Sequence, residues 1–216
     1  MFRRRTSLSL SAAAAVLVAS PLLTACGSDA HPGAAAVVDG ERITVSQVQA
    51  KVRAVREAQR ESEQGAELIR NTEQLARGTL HGMVFERVLE RAAEDAGVRV
   101  TRRDVQQARE AAEHRMGGPE ELKAMMLQQR AAAPREIDGM VRIQLLIQKL
   151  GERLGANQQT PQGQEKLRSA LEKASKDMDV TVNPRYGTWD DEQITLADIE
   201  QPWIREVSNP KPRQAA

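Results

Sequence analysis

The 216-residue sequence predicts a mainly α protein: an orthogonal bundle of about six helices, closed by one small β pairing. Three observations carry the prediction. Apolar residues recur at three- and four-residue spacing over six segments between residues 45 and 178. Alanine, leucine, glutamine, glutamate and arginine, all good helix formers, dominate those segments. Only two short runs outside them, 36–38 and 180–182, are apolar and β-branched and bounded by turn residues, so they are the natural strand partners.

The elements follow in order. Ala36 to Val38 ends at Asp39-Gly40, a pair suited to the positive backbone angles of a two-residue hairpin turn. Thr44 and Gln47 are spaced as a capping box, and Ile43 and Val48 flank it as an apolar staple. The first helix runs from Val45 to about Arg60, with Val45, Val48, Val52 and Val55 on one face. Residues 61–65 loosen the pattern, and Asn71-Thr72-Glu73 is a start with ambiguous capping. From Leu75 to Ala96 two ridges, Leu80-Val84-Val88 and Phe85-Leu89-Ala92, give a wide apolar face, and Gly97 supplies the left-handed residue that stops it. At Val100 to Val105 the stapled cap returns, with Thr101 as cap and Asp104 three residues on.

That third helix stops at Gly117-Gly118. Pro119-Glu120-Glu121 starts a fourth, which carries Leu122, Met125, Met126 and Leu127. Pro134 starts a fifth, in which nine apolar residues from Ile137 to Leu154 cover much of the circumference, so it is expected to be the most buried. Ala156 to Gly163 reads as a polar linker, and 164–178 as a last helix with Leu167, Leu171 and Ala174 inward. Ile194 to Ile199 shows the stapled cap a third time, cut short by Pro202. The tail beyond Trp203 is expected to be mobile.

The first segment stands apart. Arg3-Arg4-Arg5 and the apolar run from Leu8 to Leu23 read as a secretory signal, with an uncleaved anchor as the alternative. Leu23-Thr24-Ala25-Cys26 resembles the lipobox of bacterial lipoproteins. The resemblance implies cleavage before Cys26 and lipid attachment to it, which anchors the chain to the outer face of the cell membrane through more than one acyl chain. Residues 1–25 are then signal peptide and 26–35 a tether that reaches on the order of 30 Å when extended. Cys26 is the only cysteine, so no disulfide or thiolate cluster is expected.

Beyond the tether, the order of elements resembles the N-terminal chaperone domain of SurA- and PrsA-type extracytoplasmic foldases. The resemblance rests on Val37 to Thr44, the Gly97-ended helix leading to Val100 to Val105, and the returning run Val180 to Trp189. It implies a chaperone domain over 36–189 and a C-terminal extension over 190–216. It also implies a function, binding unfolded or apolar segments of exported proteins without ATP. A parvulin-type isomerase domain is commonly inserted before the last helix of such proteins. Here that place holds only Ala156 to Gly163, so no isomerase activity or catalytic residue carries over. The alternative reading is an adaptor lipoprotein that docks one partner protein.

Other chemistry finds little support. The charge is nearly balanced, 28 basic against 30 acidic side chains once the three signal arginines are set aside, with no basic patch interleaved with aromatics, so nucleic acid is not an expected partner. His31, His81 and His114 are scattered without metal-ligand spacing, and no cofactor is implied. Glu120-Glu121 and Asp190-Asp191 read as solvated pairs. An enzyme is disfavoured, although a catalytic subunit with unrecognised site residues stays open. Among the methionines, Met83 and Met140 are expected to fill core. Met125 and Met126 are the candidate client-binding surface, because flexible thioethers suit varied apolar partners. Tyr186, Trp189 and Trp203 are expected to pack the terminal segment onto the bundle.

Overall fold

The computed structural model describes residues 32–198 except Glu73. Asp39 and Gly40 have φ of +52° and +74°, the left-handed pair of a two-residue hairpin turn. Through that turn β1 (Ala34–Val38) pairs antiparallel with β2 (Glu41–Thr44), with Val38 opposite Glu41. Thr44 ends the strand and caps α1 (Val45–Glu61). Its hydroxyl accepts from the Gln47 N–H at 3.1 Å while the Gln47 side chain accepts from the Thr44 N–H at 2.7 Å. Ile43 and Val48 are both fully buried, so the staple holds the helix onto the core.

Seven α-helices form among the described residues, one more than expected. The additional one is α2 (Gly65–Arg70), in a stretch the periodicity leaves irregular. It packs so closely on the end of α1 that a Cβ on Gly65 would sit 2.2 Å from the Gln59 carbonyl oxygen. Next comes α3 (Leu75–Asp95), which buries Leu80, Val84, Val88, Leu89, Ala92 and Ala93. Gly97, at φ +69°, lets the Val98 N–H turn back to the Ala93 carbonyl at 2.7 Å. Then α4 (Arg102–Met116) starts on its capping box of Thr101 and Asp104, α5 (Pro119–Arg130) starts on Pro119, and a single 3-10 turn over Pro134–Glu136 leads into α6 (Ile137–Arg153).

The expectation that α6 is the most buried helix is overturned: α3 takes that place. On α6, Ile143, Leu145 and Ile147 are only half-buried, whereas α3 is packed by α1, α6, α7 and β1. The last helix, α7 (Pro161–Asp177), begins three residues before the expected start. The Thr160 hydroxyl accepts from the Gly163 N–H at 3.1 Å, which makes the supposed linker end in a helix cap.

The sheet closes as the sequence implies. β3 (Thr181–Val182) pairs antiparallel with β1, Val182 opposite Ala36 and Thr181 opposite Val37, giving the order β2-β1-β3. Asn183 extends the tie, its N–H donating to the Ala35 carbonyl at 2.9 Å and its side-chain amide to that of Ala34 at 3.2 Å. The third capped helix does not form. Residues 195–197 are instead β5 (Thr195–Ala197), antiparallel to β4 (Thr188–Asp190). The Asp190 carboxylate accepts from the N–H groups of Glu192 and Gln193, and Ile194 turns through φ +52°. This hairpin places Trp189 opposite Leu196, and both are buried in the main core, a gain that a one-turn helix would forfeit. The packed chain thus runs past residue 189 through Ala197. It starts at Ala34, inside the segment expected to be tether.

Candidate functional site

The site is assembled from what α1, α3 and α6 leave open between them. Near the start of α3 the apolar face is interrupted by Gly78 and Gly82, one helical turn apart, and α6 presents Gly139. A Cβ at any of the three would meet nothing within 4 Å, so these glycines are not forced by packing. Each lowers helix stability by roughly 0.5–1 kcal/mol relative to alanine, and what they leave is space. That space is a groove of about 450 Å³. Its apolar lining comes from Val55 on α1, Leu75 and Met83 on α3, Met140 and Ile143 on α6, and Ala131 and Ala132 in the connection after α5. A cavity of this size accommodates a few apolar side chains.

The groove has polar groups at both ends. Thr72 lies at one, in a buried network in which Arg56 donates to the Thr72 hydroxyl at 2.7 Å and to the Gln59 side chain at 2.9 Å, while the Gln59 amide donates to the Leu68 carbonyl at 3.3 Å. Gln59 is fully buried and follows Val48, Val52 and Val55 on the inward face of α1. This network clamps α2 against α1 and fixes that end of the groove. At the other end Lys51 is paired with Glu136, and Glu86 faces the groove beside them. Burial pushes the Glu86 carboxyl above its ordinary value, and the neighbouring Glu90 pushes it further.

The sequence-selected residues lie elsewhere. Met125 and Met126 pack, half-buried, against a small cluster of Val105, Leu122, Ile137 and Val141, and neither lines the groove. Met83 and Met140 are the two methionines that do, and Met83 also packs against the main core, as expected. Gly78 and Gly82 carried the missed signal, since two glycines at four-residue spacing inside a strong helix call for a reason. Cys26 and Trp203 lie outside the described residues. Trp189 is buried, its indole N–H donating to Ser175 at 2.7 Å, so it packs the C-terminal hairpin onto α7. His81 stacks on Phe85 and meets Trp189 at a tilt, with Nε2 3.1 Å from the Ile194 carbonyl oxygen. Among the described residues no group of three His, Cys, Asp or Glu side chains is placed to hold a metal ion. No helix among them is long and apolar enough to cross a membrane.

The family model of the SurA-like N-terminal domain matches residues 2–114, more than half of the chain. The chain belongs to the SurA-like N-terminal domain family. Within this SurA-like chain the match spans β1 through nearly all of α4, so it takes in the groove residues of α1 and α3. Those of α6 and the preceding connection fall beyond it. No curated protein and no solved structure matches the chain. Membership places the protein in a chaperone-like family.

Proposed function

We propose that this SurA-like protein is a membrane-anchored, extracytoplasmic chaperone that holds unfolded or apolar segments of exported proteins in the α1–α3–α6 groove, without ATP and without prolyl isomerase activity. The single observation that carries the reading is the glycine-floored groove, lined by aliphatic and thioether side chains, on a member of a chaperone-like family. Thioethers repack around differently shaped partners, so the apolar part of the lining does not demand a particular sequence. Lipid on Cys26 supplies the anchor in this reading, supported by the lipobox-like run before it.

The test is a refolding assay. A soluble form, with the signal removed and Cys26 replaced by Ser, is expected to suppress aggregation of a refolding substrate near stoichiometric amounts. Unchanged aggregation at excess would count against the reading. Unchanged aggregation together with one stoichiometric protein in a pull-down would identify an adaptor. Anchoring is read separately by fractionation, where Cys26→Ser in the full chain should move the protein from the membrane fraction to the soluble one. Retention in the membrane would make the apolar signal segment itself the anchor.

A further inference from the structure

Electrostatics at the Glu86 end of the groove suggest what kind of segment enters it. Three carboxylates lie there on two elements: Glu86 and Glu90 on α3, and Glu136 ahead of α6. The cations acting on Glu86 are already engaged, while Arg130, exposed and also lining the groove, makes no salt bridge among the described residues. Lys51 is held by Glu136, which also has Arg135 at 3.5 Å, and Arg142 is held by Glu90. Glu86 makes no salt bridge and no side-chain hydrogen bond among the described residues, although it is half-buried and lines the groove. Its charge is therefore disfavoured where it stands, as the upward push on its carboxyl also indicates. A partner that brings a cation relieves that cost, whereas one that brings an anion adds to it.

We propose that the groove selects apolar segments carrying an arginine or lysine, whose cation pairs with Glu86 while the adjoining apolar side chains fill the space over Gly78 and Gly82. The proposal rests on the groove being the surface that takes apolar segments, and adds its charge preference. The occupant is a basic-apolar stretch of an unfolded chain.

Three labelled peptides, acetylated and amidated, identical in their apolar residues and carrying Arg, Gln or Glu at one position, separate the possibilities by fluorescence anisotropy at low ionic strength. The soluble Cys26→Ser protein is expected to bind the Arg peptide about fivefold more tightly than the Gln peptide, the worth of one partly exposed charge pair. The Glu peptide should bind more weakly still. Glu86→Gln should erase the order, and Glu86→Lys should invert it. Glu110→Gln, an exposed acid on α4, should leave the order intact, which excludes a net-charge effect. Binding of all three peptides with equal affinity, or an Arg preference that survives Glu86→Gln, overturns the proposal and leaves the groove reading standing. Binding of none overturns both.

Discussion

Glycine occupies both crowded and open positions in this protein, and the same substitution should have opposite signs at the two. Gly65→Ala forces a methyl group to 2.2 Å from the Gln59 carbonyl oxygen and should destabilise by about 1–3 kcal/mol in urea denaturation. Gly82→Ala meets nothing and should stabilise by about 0.5–1 kcal/mol, since only the helix propensity changes. Two carboxyl groups diverge in the same way with pH. The Lys149 ammonium, with help from the Thr101 N–H, lowers the Asp104 carboxyl to about 2. Its stabilisation is present above the usual aspartate range and fades as pH falls from about 4 toward 2. Asp104→Asn should therefore lower the denaturation midpoint at pH 7 and have little effect at pH 2. Glu86 is raised, chiefly by burial, so the folded state loses stability as pH rises through its titration. Glu86→Gln should raise the midpoint at pH 7 and leave it unchanged well below pH 4.

At the scale of elements, the stapled cap shows how far a local signal reaches. Thr44 and Thr101 each make the full reciprocal pair of capping bonds, and Thr→Ala at either should cost about 1 kcal/mol of stability. Thr195 stands in the same local pattern and caps nothing, because the strand pairing that buries Trp189 and Leu196 competes with a helix that Pro202 would limit to a turn. Thr195→Ala should leave the stability due to capping untouched, as measured by the same denaturation series. Helices bounded by reciprocal side-chain bonds or by glycine, as α1, α3 and α4 are, were legible because those signals lie within a few residues of one another. The start of α7 was missed although Thr160 and Pro161 mark it, since the polar residues around them read as linker. The centre of the fold was also misplaced: the nine apolar residues from Ile137 to Leu154 say how much surface must be covered, whereas which helix is surrounded depends on the packing of α1, α7 and the sheet around α3.

For the whole molecule, β1 brings the two ends of the domain together, with β2 on one side and β3 on the other. That pairing was legible because few other runs in so helical a chain suit a strand. The groove was not, because its walls come from α1, α3, α6 and the connection after α5, and no local pattern reports how they meet. Composition pointed to methionine as the adaptable lining, but Met125 and Met126 pack against a small cluster, and the groove is lined by Met140 and by Met83, which also packs on the main core. The most direct measurement of the account is photo-crosslinking to an unfolded, aggregation-prone substrate from a reactive side chain at Met140 and, separately, at Met126. The groove reading predicts adducts from position 140, abolished when Gly82→Leu fills the space, and background levels from position 126. Equal yields from both positions, or adducts from Met126 alone, would contradict it.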